Sequence, residues 1–106
     1  MRDIPGYEGL YAATSCGRIW SHRRQMFLKP ELLENGYYRV CLCGKTGKKR
    51  YRVHTLVAMT YIDNPEGYNE INHIDGVKTN NSVGNLEWCT HKDNILHYLH
   101  FLADKV

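Results

Sequence analysis

Apolar residues recur at two spacings along this chain, and the switches between them divide it into three stretches. From Ile4 to about Leu28, apolar pieces at Leu10-Tyr11-Ala12 and Arg18-Ile19-Trp20 are set off by turn signals at Pro5-Gly6, Glu8-Gly9 and Cys16-Gly17. That spacing predicts two short strands of a meander. After the turn Glu34-Asn35-Gly36, the segment from Tyr37 to Cys43 alternates as a strand, Gly44 to Gly47 turns, and Arg50-Tyr51-Arg52-Val53 returns as its hairpin partner. Leu56, Val57 and Thr60 then adopt helical spacing, so a short helix is expected from His54 to Tyr61, ending before Asp63-Asn64-Pro65.

The third stretch begins at Glu70. Ile71 to Ile74 reads as a strand, Asp75 to Gly84 as a polar loop and Leu86-Glu87-Trp88 as a second strand. Thr90 suits an N-cap, with Asp93 at N3 favouring the positive end of the helix dipole. The helix is expected to run to about Leu102 and to pack a stripe of Ile95, Tyr98, Leu99 and Leu102 inward. Trp20 and Trp88 are expected in the core. The fold class is therefore α+β, small antiparallel strands ending in a strand-strand-helix unit.

Composition narrows the possibilities. A chain of 106 residues makes one small domain with a modest core, and no apolar run approaches the roughly 20 residues of a membrane span. Cys16, Cys41, Cys43 and Cys89 form no C-x-x-C pair, and Met1-Arg2-Asp3-Ile4-Pro5 lacks the apolar region of a secretory leader. Free thiols in a reducing cytoplasm are expected. A structural zinc site would need a second close pair beside Cys41 and Cys43.

The net charge of +3 hides an asymmetry: residues 1–53 carry eleven Lys/Arg against four acids, and residues 54–106 three lysines against seven acids. Lys45, Lys48, Lys49, Arg50 and Arg52 crowd the hairpin turn and its return strand, and a two-stranded ribbon of this kind fits a DNA groove while neutralising phosphates. His22, Arg23 and Arg24 extend that track. His54, at the start of the first helix, is expected to cap it or to contact phosphate, with a buried hydrogen-bonded role as the alternative. Such contacts position a duplex without reading its sequence.

The acidic half carries the chemistry. Asn72-His73-Ile74-Asp75-Gly76, Asn85-Leu86-Glu87-Trp88 and Thr90-His91-Lys92-Asp93-Asn94 bring an imidazole and hard oxygen donors together within 23 residues. Phosphodiester cleavage needs a base to activate water and a cation to bear charge on the phosphate and leaving oxygen. His73 supplies the first, and amide oxygens of Asn72 and Asn94 suit a loosely held Mg²⁺ that keeps most of its waters, with Mn²⁺ as a substitute. His91, at N1 of the helix, reads as solvent-facing or a phosphate contact, while His97 and His100 read as surface residues.

These residues carry a resemblance. Asn72-His73-Ile74-Asp75-Gly76-x-Lys78-Thr79-Asn80-Asn81, followed by Asn85-Leu86-Glu87-Trp88 and Asn94, resembles the HNH endonucleases of the phage and intron homing type, whose site is a ββα-metal motif. The front end, from Asp3 to Tyr11 with Gly17-Arg18-Ile19, resembles the small N-terminal motif that accompanies many of these nucleases, and Tyr51 to Ala58 matches the family as well. The resemblance implies an N-terminal motif over residues 1–30 and a nuclease core over 31–106, packed as one unit. It implies His73 as general base, Asn85 as the central Asn that fixes the loop and the histidine, and Asn94 as a metal ligand. Neutral Asn72 departs from relatives with an acid before the base, which should weaken the cation site.

The expected function is a Mg²⁺-dependent endonuclease acting on double-stranded DNA, one strand per site, leaving 3′-hydroxyl and 5′-phosphate ends. A monomer or weak dimer is expected, phage-encoded in a bacterial host or intron-encoded, with specificity weak or supplied by another phage protein. The alternative is a non-catalytic DNA-binding module on the same scaffold.

Overall fold

The computed structural model describes residues 1–103, with side chains through His100. Strands β1 (Arg2–Asp3), β2 (Tyr11–Ala13), β3 (Ile19–Ser21) and β4 (Met26–Phe27) form an antiparallel sheet in chain order. The alternation in the sequence marks β2 and β3; the outer strands have two residues each, too few to register as a pattern. A second sheet follows in the order β5 (Glu31–Leu32), β6 (Tyr38–Gly44), β7 (Gly47–Arg52). Gly44 pairs with Gly47 around the two-residue loop Lys45-Thr46, and Gly47 has the positive φ of 114° that closes such a tight hairpin.

Helix α1 (Val53–Tyr61) starts directly at the end of β7 and is the central element. It packs on β6 and β7, on β1 and β2 of the first sheet, and on a C-terminal ribbon of β8 (Glu70–His73) and β9 (Leu86–Cys89). One core results, with Ile4, Tyr11 and Ile19 from the first sheet meeting Val40 and Leu42, Leu56 and Val57, and Leu86. Tyrosines tie the edges: Tyr11 Oη accepts from the Cys43 amide at 3.0 Å, and Tyr61 Oη donates to the Ala13 carbonyl at 2.7 Å.

The ribbon is antiparallel, with Asn72 opposite Glu87 and His73 opposite Leu86. A 3-10 turn over Val83–Asn85 leads into β9, and α2 (His91–Ala103) follows. Thr90 caps α2 as the sequence predicts, its Oγ1 accepting from the Asp93 amide at 3.1 Å.

Two expectations are corrected. The α2 stripe does not pack inward: Ile95, Tyr98 and Leu99 are 43%, 59% and 54% exposed, and the Leu102 side chain lies outside the described residues. Polar bonds tie α2 to the ribbon instead, among them His97 Nε2 donating to the Ile74 carbonyl at 3.1 Å. Trp20 and Trp88 are half-buried rather than core, Trp20 lying edge-on to Phe27 and Trp88 donating its indole N–H to the Ile62 carbonyl at 3.0 Å. Cys16, Cys41 and Cys43 are exposed free thiols and Cys89 is buried. Among the described residues no helix is long and apolar enough to cross a membrane.

Candidate active site

His73 is the last residue of β8, only 6% exposed, with its ring turned toward α1. Its Nε2 lies 2.9 Å from Asn81 Oδ1, a carbonyl oxygen that can only accept. In the neutral ring Nε2 therefore carries the proton, and Nδ1 keeps the lone pair that a general base needs. The ring also meets His54 edge-on at 4.9 Å and Tyr37 at 5.8 Å between centroids. The sequence motif includes Asn81 but assigns it no role, because it lies in a loop with no periodicity, where side-chain direction has no signature.

Asn81 is itself held from the far end of the chain. Gly17, at φ +93°, approaches so closely that a Cβ there would stand 2.8 Å from the Asn81 Cβ and carbonyl oxygen. The neighbouring Ser15 carbonyl accepts from the Val83 amide at 2.9 Å. The first sheet thus buttresses the residue that sets the tautomer of His73.

Asn85 fastens the loop between the two strands. Its Oδ1 accepts from the Asp75 amide at 3.0 Å, and its Nδ2 donates to Asp75 Oδ1 and to the Asn80 carbonyl, both at 2.9 Å. Asn80 Nδ2 adds a bond to Asp75 Oδ2 at 2.8 Å. Together with the Val77 amide, these donors hold the Asp75 carboxyl below its usual range, the Asn80 bond contributing most.

Alternation along β8 puts Asn72 on the opposite face from His73, the face it shares with Glu70. Asn72 Nδ2 donates to Glu87 Oε1 at 2.8 Å across the ribbon, and Asn94 Nδ2 donates to Glu70 Oε1 at 3.0 Å. His91 Nδ1 meets the other oxygen of Glu70, and the Asn94 bond, followed by His91, lowers the Glu70 pKa. Asn72 and Asn94 are therefore gathered on one face, with His73 on the other.

The donor set fits a hard divalent cation. Both amides spend their nitrogens on carboxylates, leaving carbonyl oxygens as ligands, and Glu70 and Glu87 supply the negative charge that Asn72 lacks. Sequence reasoning missed these two acids; the Asn72–Glu87 pairing follows only once the register is known. Among the described residues no group of three His, Cys, Asp or Glu side chains is placed to hold a metal, so such a site has to draw on the amides.

His54 is 7% exposed, and its Nδ1 is buried without a hydrogen-bond partner. Burial first, then the nearby His73 and Arg52, push its pKa down to about 4. Of the two roles expected for it, the structure shows the burial of the second, although Nδ1 lacks the hydrogen bond that role called for. Of the other expected grip residues, Lys45, Lys48, Lys49, Arg50 and Arg52 are exposed on the hairpin and Arg23 and Arg24 on the β3–β4 turn. Arg24 and Arg50 line one groove together with Lys29 and Arg39, joining the two predicted tracks. His22 is paired with Asp3 at 2.8 Å.

Residues 2–43 match the NUMOD4 motif, and residues 51–96 match the HNH endonuclease family. The chain carries an HNH endonuclease module. The DNA endonuclease I-HmuI of Bacillus phage SP01 is 41% identical over 98 residues, which span 89% of this HNH chain and 54% of that protein. An uncharacterized HNH endonuclease of Acanthamoeba polyphaga mimivirus is 45% identical over 89 residues, 84% of this chain and 27% of that one. A solved structure described as DNA binding and cleavage by the HNH homing endonuclease I-HmuI aligns with a TM-score of 0.86 at 35% identity, over 93% of this chain and 57% of its own. This HNH chain spans about half or less of the length of these relatives.

Proposed function

We propose that this chain is a divalent-metal-dependent DNA endonuclease, and the observation that carries the reading is the His73–Asn81 bond, which leaves Nδ1 as base one residue from the Asn72 oxygen. A backbone phosphate laid across the end of β8 meets His73 from one face of the ribbon and Asn72 with Asn94 from the other. His73 Nδ1 takes a proton from water, the water oxygen bonds to phosphorus and the bond to O3′ breaks. Protonation of O3′ then leaves 3′-hydroxyl and 5′-phosphate ends. Asn72 and Asn94, with Glu87 and Glu70 nearby, would hold a cation, Mg²⁺ or Mn²⁺, whose charge would stabilise the phosphate.

The substrate in this reading is double-stranded DNA, nicked on one strand by a monomer or weak dimer, in the cytoplasm of a phage's bacterial host or from an intron. Specificity would rest partly on another phage protein. The proposed boundary between the N-terminal unit (1–30) and the nuclease core (31–106) falls between β4, ending at Phe27, and β5, opening at Glu31. Nicking of supercoiled plasmid that stops in EDTA and returns with Mg²⁺ is the expected result. Binding without nicking at any metal concentration would leave the non-catalytic module standing instead.

The ribbon register sharpens the expected grip. Lys48, Arg50 and Arg52 alternate onto one exposed face, while Lys49 falls on the other with its ammonium 5.2 Å from the Tyr51 ring centre. Replacing Lys48 and Arg50 with Ala should lower the slope of log affinity against log salt by about 2, at roughly 0.9 per phosphate contact. Lys49→Ala should change it less, as measured by anisotropy titrations across a salt series.

Asn72→Asp has two opposed effects. It sets a second carboxylate against Glu87, so the metal-free protein should melt lower, and it adds charge at the cation, so Mg²⁺ should bind more tightly. Melting in EDTA and in Mg²⁺ reads both. Unchanged Mg²⁺ affinity would show that residue 72 does not touch the metal.

A further inference from the structure

Tyr37 follows the Asn35-Gly36 turn, and its ring lies 5.0 Å from that of His54 and 5.8 Å from that of His73. Two cations rest on the same ring, Arg52 with Cζ 4.8 Å and Lys78 with Nζ 5.0 Å from its centroid. They reach it from different parts of the chain, Arg52 from the end of β7 and Lys78 from the loop after His73. Lys78 is fixed further by its Nζ, which donates to the Asn35 carbonyl at 2.9 Å. Its stem lies against Gly36, where a Cβ would stand 3.2 Å from the Lys78 Cδ and φ is +91°.

Both side chains are exposed, and among the described residues neither is ion-paired with a carboxylate. Two like charges held on one ring repel each other, a cost that a bound anion relieves. Arg52 has most of its N–H fork to offer a phosphate, and Lys78 has two ammonium protons beyond the one given to Asn35. Placed beside the base, such a pair can meet charge that grows on phosphate oxygens during cleavage.

We propose that Arg52 and Lys78, held on the Tyr37 ring, clamp the non-bridging oxygens of the phosphodiester that His73 addresses, a role that rests on the nuclease reading. Arg52 and Lys78 are then catalytic residues and Tyr37 a positioning residue. The clamp differs from the Lys48–Arg50 grip because it acts on the reacting phosphate, so its loss changes turnover as well as affinity.

The test compares Lys78→Gln, Arg52→Gln, Tyr37→Phe and Tyr37→Leu, each checked for folding by thermal melting. Short-duplex binding is titrated against salt in EDTA, and supercoiled-plasmid nicking is followed at saturating enzyme with Mg²⁺. Each cation variant should lower the salt slope by about 0.9 and slow nicking at saturation about 100-fold. Tyr37→Phe, which keeps the ring, should behave as wild type, and Tyr37→Leu should lose both properties. Cation variants that bind or nick like wild type while wild type nicks normally would overturn the clamp alone. Tyr37→Phe failing like Tyr37→Leu would overturn the platform. A wild-type protein that binds but never nicks would sink the nuclease reading, and the catalytic part of the clamp with it.

Discussion

His73→Ala is expected to slow strand cleavage by about 10²- to 10⁴-fold, the usual contribution of a positioned general base. The loss should appear in turnover, with duplex affinity in EDTA unchanged, because the basic ribbon lies on other strands. The ring is buried and bonded to Asn81, so alanine leaves the Asn81 amide without its partner and opens space beside His54. A stability loss of about 1–3 kcal/mol should accompany the loss of activity. Single-turnover nicking together with urea unfolding separates the two effects. Cleavage within a few-fold of wild type in a folded His73→Ala protein would remove the imidazole from the reaction.

The pH dependence of stability should be dominated by His54 between pH 6.5 and 4. In the unfolded chain this ring takes a proton near its ordinary value of 6.5, whereas in the fold burial holds the pKa at about 4. Its folded pKa is depressed, so as pH falls through this window the unfolded state binds the proton first and stability declines. The decline is about 1.4 kcal/mol per pH unit, about 3 kcal/mol in all. His54→Phe should flatten this limb and also removes a buried nitrogen that has no partner. Asp3, Glu70 and Asp75, whose pKa values are lowered, contribute stability that is lost only as pH drops further, through their folded values. Urea unfolding at pH 7.5, 5.5 and 4 checks this; parallel curves for the two proteins would show that His54 is protonated inside the fold.

The parts of the molecule that repeat are the parts the sequence reveals. β6 and α1 are long enough for alternation and helical spacing to show, and Thr90 announces α2 through its cap. β1, β4 and β5 offer two residues each, and their pairing is decided by the core around Ile4 and Ile19 rather than by local pattern. In the candidate site, His73 and Asn94 stand out as an imidazole and a hard oxygen donor close together in sequence, whereas Asn85 takes its role only from the family resemblance. Asn81, Glu70, Glu87 and Tyr37 do not stand out, since each matters through a partner fixed only by register or loop path. The α2 stripe shows the opposite error, an amphipathic pattern with no apolar partner for the described part of the helix.

The approach of Gly17 to Asn81 limits how this protein can be taken apart. A nuclease built by joining interchangeable cassettes would keep its catalytic proton bookkeeping within one of them. Here the amide that decides which imidazole nitrogen is free leans on a glycine from the front-end motif. A front end exchanged for one with a side chain at that turn would therefore have to displace Asn81, and with it the hydrogen-bond partner of His73.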